Sequence, residues 1–159
     1  MKVKIRPFRS SDTKDVIQLW KDCGLVVPDN DPLMDIKRKK KEHPELFLIA
    51  LKGKEIVGAL MGGYDGHRGA INYFGVEPAY QRQGIGRLLM GAVEKKLNRL
   101  GCPKVNLYVR VTNESVRVFY EKLGYAQNTA GISFGKRLVK DDPESCGLLF
   151  GNKRYNNYY

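Results

Sequence analysis

The chain has 159 residues, with 28 lysines and arginines against 17 acidic residues, for a formal charge of +11. That length suits one domain with a substantial core; no apolar run nears the roughly twenty residues of a membrane span, and residues 1–12 hold no hydrophobic signal segment, so a cytoplasmic protein without a membrane partner is expected. Three unevenly spaced cysteines (Cys23, Cys102, Cys146) and two histidines (His43, His67) fit reduced thiols rather than a disulfide framework or zinc site, and no metal is expected.

An alternating plan runs along the chain, with no internal repeat, low-complexity tract or Gly/Ser linker. Residues 2–8 read as a first strand. Ser11 or Asp12 can cap a helix whose Val16, Leu19, Trp20 and Cys23 share one face, and Gly24 ends it. A loop over 28–32 leads into a short helix carrying Lys37-Arg38-Lys39-Lys40-Lys41. Strands are predicted over 46–51 and Glu55–Tyr64, turned by Lys52-Gly53-Lys54, and a turn at Asp65-Gly66 starts another over 70–76. Ile85, Leu88, Leu89, Ala92, Val93, Leu97 and Leu100 make a broad apolar helical stripe stopped by Gly101. This crossover helix delivers a strand over 104–111, parallel to the one before it. Asn113 then caps a helix with Val116, Phe119, Tyr120 and Leu123 on one face, Gly124 closes it, and 132–139 supply a last strand. The expected fold class is α/β (α+β), a mixed, largely antiparallel sheet of about six or seven strands flanked by helices.

One stretch carries more chemistry than the rest. Gln81-Arg82-Gln83-Gly84-Ile85-Gly86-Arg87 joins a strand to a helix through glycines. The first N–H groups of such a helix lack intrahelical partners and sit at its positive end, where they can hold a phosphate. Gly84 and Gly86 leave no Cβ between ligand and backbone and permit dihedrals that other residues resist. A dinucleotide fingerprint fails, because it needs a third glycine where Leu88 or Leu89 stands. A hydrolase phosphate loop fails too, since Gly86 is followed by Arg87-Leu88 rather than Lys-Ser/Thr.

The run Asn72-Tyr73-Phe74-Gly75-Val76-Glu77-Pro78-Ala79-Tyr80-Gln81-Arg82-Gln83-Gly84-Ile85-Gly86 resembles the acetyl-coenzyme A signature of the GNAT N-acetyltransferase superfamily, whose core is Gln/Arg-x-x-Gly-x-Gly/Ala. Downstream, Asn113-Glu114-Ser115-Val116-Arg117-Val118-Phe119-Tyr120-Glu121-Lys122-Leu123-Gly124-Tyr125 resembles the family's other diagnostic segment, an asparagine opening a helix that carries a tyrosine and ends in Gly-Tyr/Phe. Finer features, among them Asn30-Asp31-Pro32 and Gly135-Lys136-Arg137-Leu138, are similar to the YpeA-type bacterial branch. The resemblance covers residues 3–139 and implies a GNAT domain over 1–139, with 140–159 left as a tail of unassigned role. Arg82 departs from the pattern by standing where many relatives carry glycine.

The resemblance implies acetyl-coenzyme A as cosubstrate and a sheet whose fourth and fifth strands splay to admit it. Phe74, Gly75 and Val76 would pair with the pantetheine arm, and Gln81, Arg82, Gln83, Gly84, Ile85, Gly86 and Arg87 would take the pyrophosphate. A bulge near Val76, eased by Gly75, would point an N–H at the thioester oxygen. Tyr120 is the general acid toward the leaving thiolate: a simple thiol has a pKa near 8.5 against about 10 for tyrosine, which keeps its proton at neutral pH. Core packing alone could also explain Tyr120, and capping alone could explain Asn113, which the family places near the cofactor arm. Tyr64, Asp65, His67, Arg68 and Asn72 are the expected acceptor-binding residues, and the base is sought among Asp65, His67, Asn72, Tyr73, Glu77 or a water they hold.

The functional expectation is an N-acetyltransferase moving acetyl from acetyl-coenzyme A to an amine, small molecule or protein, by direct attack in a ternary complex. The alternative is a binding module, either a non-catalytic acyl-coenzyme A sensor or a basic nucleic-acid binder using Lys37 to Lys41. The lysine run reads more simply as a solvated helix face, and the net charge also serves to attract an anionic cosubstrate. An edge strand of a small sheet offers a route to a homodimer.

Overall fold

The computed structural model describes residues 2–139. Five strands, β1 (Val3–Pro7), β2 (Phe47–Lys52), β3 (Glu55–Tyr64), β4 (Gly69–Val76) and β5 (Val105–Leu107), alternate with four helices, α1 (Thr13–Asp22), α2 (Pro32–Lys39), α3 (Ile85–Arg99) and α4 (Glu114–Glu121). The sheet runs in sequence order, antiparallel from β1 to β4 and parallel between β4 and β5. That last pairing requires a crossover, and α3 supplies it.

Both faces of the sheet are covered, which is why β2 reads Phe-Leu-Ile-Ala without a polar break. Leu48 and Ala50 join Ile85, Leu89, Met90, Val93 and Leu97 of α3, while Phe47 and Ile49 join Val16, Ile17, Leu19 and Trp20 of α1 and Ile36 of α2. The α3 helix lies close to the sheet: a Cβ on Gly62 would come within 2.6 Å of Val93.

At the entry to α1 the expected cap takes another form. Asp12 occupies the N-cap position, but its carboxylate does not bond the helix. It accepts both Arg6 guanidinium nitrogens, at 2.7 and 2.9 Å, and the Arg9 amide at 2.7 Å. Burial pushes this carboxyl up, and the Arg6 and Arg9 bonds more than reverse it, leaving its pKa below the ordinary value. Asp12→Ala should therefore destabilise by roughly 1–2 kcal/mol in urea unfolding, because it removes the acceptor of a partly buried guanidinium and of the Arg9 amide. Since the carboxyl titrates lower folded than unfolded, its contribution is present at neutral pH and fades below about pH 4.

Two expectations about strands need correction. The last strand, over 132–139, is not formed, and β5 covers three residues rather than eight, so among the described residues the sheet has five strands instead of six or seven. A strand needs a neighbouring edge for its backbone groups. Among the described residues none lies beyond β5, and Tyr108, Val111, Ile132 and Phe134 are each more than 80 % exposed, so apolar alternation there buries nothing. The tail over 140–159 lies outside the described residues. No helix among them is long and apolar enough to cross a membrane.

Candidate active site

The site grows from a defect in β4. Ala59 pairs with Gly75 but Met61 pairs with Asn72, so β4 carries one residue more than β3 between those pairs. Tyr73 absorbs the excess with φ +47°, a left-handed conformation that holds a non-glycine residue at a cost of order 1 kcal/mol or more. The bulge turns consecutive side chains, Asn72 and Tyr73, toward the α1/α2 face, and Phe74 toward α3 and α4. A bulge was expected near Val76, eased by Gly75; it lies three residues earlier, at Tyr73. Gly75 has a packing reason instead: a Cβ there would meet Cys23 Sγ and Leu25 at 3.0 Å.

Beside the bulge the sheet opens. Pairing of β4 with β5 ends at Ile71 with Leu107, leaving Asn72 to Val76 without a neighbour on that side among the described residues. Phe74, Phe119, Tyr120 and Tyr125 bound the wedge, with ring centroids 5.2–6.3 Å apart. Tyr120 is 8 % exposed and has no hydrogen bond to its hydroxyl among the described residues. Burial pushes its pKa up to about 12.

At the far end of β4, the predicted phosphate loop is exposed from Gln81 to Gly84 and runs into α3. Gln81 Nε2 ties the loop back to the Val76 carbonyl at 3.0 Å. The first α3 bond runs from the Leu88 amide to the Gly84 carbonyl, so the Ile85, Gly86 and Arg87 amides have no intrahelical acceptor. The two glycines divide the work differently than expected. Gly84 takes φ +82° with nothing within 4 Å of a Cβ, whereas Gly86 is held by close approach, a Cβ there meeting the Phe74 and Phe119 rings at 3.2 Å. Arg82 also adopts a left-handed φ, +59°, which explains glycine's suitability at that position. An open loop with three unpartnered amides, next to an unpaired strand edge, fits a coenzyme A pyrophosphate and pantetheine arm.

A cavity of about 850 Å³ lies beside the bulge, between α2, Met61 of β3 and residues 135–139. Asn72 and Tyr73 line it with Asp35, which accepts the Tyr73 hydroxyl at 2.8 Å and an Arg38 Nη1–H at 3.0 Å. Burial and that bond to Asp35 drive the Tyr73 pKa well above the ordinary tyrosine value. Trp20 stacks on the Tyr73 ring at 4.2 Å and Phe47 on Trp20 at 5.8 Å.

Of the five residues expected to bind the acceptor, only Asn72 lines this cavity. Tyr64, Asp65, His67 and Arg68 form the β3–β4 hairpin, where the Asp65 carboxylate accepts the His67 and Arg68 amides at 2.7 and 2.6 Å. That hairpin stands roughly 20 Å along β4 from the phosphate loop. Glu77 faces a separate, acidic hollow with Asp15, Asp22 and Glu55. Asn113 caps α4 through its Oδ1, which accepts the Val116 amide at 3.3 Å. Asp35 was missed because it sits two residues before a lysine run; its position opposite Tyr73 becomes visible only once α2 packs on the sheet.

A profile of the acetyltransferase (GNAT) family matches residues 13–125. The chain belongs to the GNAT acetyltransferase family. A relative in Sodalis glossinidius, named an acetyltransferase, is 50 % identical over 139 residues, spanning 87 % of this chain and 98 % of its own. Among solved structures, Ard1 of Thermoplasma volcanium superposes with a TM-score of 0.70 at 25 % identity, covering 81 % of this chain and 86 % of that one. Naa20 of Chaetomium thermophilum, solved with a bisubstrate analogue, gives 0.67 at 26 % identity over 77 % of this chain and 70 % of its own. This GNAT protein is thus an acetyltransferase that draws its acyl group from a coenzyme A thioester.

Proposed function

We propose that this GNAT protein moves acetyl from acetyl-coenzyme A to a primary amine by direct attack in a ternary complex. The observation that carries the reading is the β4 bulge, with an unpaired, splayed edge leading to a phosphate loop on one face and a polar cavity on the other. Phe74, Gly75 and Val76 hold the pantetheine arm, and the loop from Gln81 to Arg87 takes the pyrophosphate. Asn113 stands near the arm in addition to its capping role.

The amine enters from the cavity past Asn72 and attacks the thioester carbonyl. Tyr73 and Phe74 have no register partner in β3, whereas Val76 pairs with Gly58, so the N–H that steadies the developing oxyanion is assigned to the bulge itself rather than to Val76. The amine's proton passes to the Tyr73–Asp35 pair, which already shares one hydrogen bond. Tyr120 supplies a proton to the departing sulfur. The net change is acetyl from sulfur to nitrogen and one proton from nitrogen to sulfur.

Calorimetric titration with acetyl-coenzyme A, beside the same titration of Gly84→Glu, tests the cosubstrate. The open surroundings of Gly84 let a side chain be placed there without a clash, at a backbone cost of about 1 kcal/mol for a positive φ, while the new carboxylate faces the phosphates. Saturable binding by the wild type, weakened at least tenfold in Gly84→Glu, is expected. A folded wild type that binds no acetyl-coenzyme A overturns the proposal.

A further inference from the structure

We infer that the acceptor amine of this enzyme carries anionic groups beside its nitrogen, the acidic side chains of a glutamate-like amino acid or peptide N-terminus. The inference rests on the proposed acetyl transfer and deepens it. Arg38, Lys39, Lys136 and Arg137 line the cavity against two carboxylates, Asp35 and Glu42. Asp35 is engaged, accepting both Arg38 and the Tyr73 hydroxyl. Lys39 is half-buried and its Nζ donates to the Glu42 carbonyl at 2.6 Å, and Arg137 donates to the neutral Asn30 Oδ1 at 3.0 Å. None of Lys39, Lys136 and Arg137 has an ion pair to a carboxylate among the described residues.

Positive charge here serves the chemistry twice. It attracts carboxylates, and it lowers the pKa of a nearby ammonium, so more of the bound acceptor is in the neutral form that can attack. A polycationic acceptor meets like charges at the same wall and is rejected. The lysine run of α2, read in sequence as a solvated face, thereby has one side turned to the substrate.

The test uses coenzyme A joined through an acetyl bridge to the α-amine of Glu-Glu amide, Gln-Gln amide, Lys-Lys amide or free glutamate, titrated into the wild type and into Lys136→Glu/Arg137→Glu. Coenzyme A alone is titrated alongside. Both substituted residues are exposed and outside regular structure, so an intact fold is expected, and unchanged binding of coenzyme A verifies it. The wild type should bind the Glu-Glu conjugate at least tenfold more tightly than the Gln-Gln one and the Lys-Lys one more weakly still, with the order levelled or inverted in the variant. Tight binding of the free glutamate conjugate would identify a small acid, and tight binding of the dipeptide alone a peptide terminus. Equal affinities, a preference for Lys-Lys, or an order unchanged in the variant overturns the inference. Failure of coenzyme A itself to bind counts against the acetyl-transfer reading instead.

Discussion

Tyr120→Phe should lower kcat by about 10²–10³-fold while leaving acetyl-coenzyme A binding and the thermal midpoint nearly unchanged. Phenylalanine keeps the ring contacts with Phe74, Phe119 and Tyr125, and the lost hydroxyl leaves no partner behind among the described residues. A purely structural tyrosine would show no kinetic loss, so a decrease smaller than threefold would assign Tyr120 to the core alone. The pH profile gives a second reading. Burial raises this phenol from the ordinary 10 to about 12, and it must be protonated to donate, so the alkaline fall of wild-type kcat owed to Tyr120 should lie above pH 11. The same rise affects stability: above about pH 10 the unfolded chain releases this proton and the folded one retains it, so the thermal midpoint should decline from there upward.

Trp20→Ala is expected to have the largest effect on stability, about 3–5 kcal/mol in urea unfolding. Trp20 is fully buried and stands between the rings of Phe47 and Tyr73, so its removal opens a cavity under the bulge. Its indole N–H has no hydrogen-bond partner among the described residues, so Trp20→Phe, which keeps an aromatic ring and removes that donor, should cost well under half as much. The catalytic consequence separates packing from positioning. With a smaller ring behind it, Tyr73 has less to hold it at φ +47°, and Trp20→Phe, still folded, should lose acceptor kcat/KM by roughly tenfold with acetyl-coenzyme A affinity unchanged. Intact kinetics in the Phe variant would mean that the bulge holds its shape without the stack.

Much of the fold was legible in the chain because its rules are local. The span of β3, the start of α3 at Ile85 after Gly84, and the Asn113 cap of α4 all follow from periodicity and end chemistry among near neighbours. Apolar alternation over 132–139 misled for the same reason, since a pattern says which side chains could be buried but not whether an edge exists to receive them. The proposed cosubstrate side, one continuous segment from β4 into α3, was readable; the cavity proposed for the acceptor, assembled from α2, the bulge and residues 135–139, was not. The hairpin from Tyr64 to Arg68 drew attention as the sequence neighbour of β4, and it lies apart from that cavity.

By itself, the sequence determined a strand–glycine–helix unit able to bind an anion, the tyrosine-bearing helix after it, and the two-sided burial of a central strand. Each depends on contacts within a few residues or on composition. Tertiary structure alone decided where β4 breaks register, and with it that Asn72 and Tyr73 share a face, that Tyr73 meets Asp35 from 38 positions away, and that Trp20 stacks on Tyr73. A bulge is placed by the competition between pairing with β3 and packing against α1 and α2. That balance of long-range terms has no signature in the residues that finally bend.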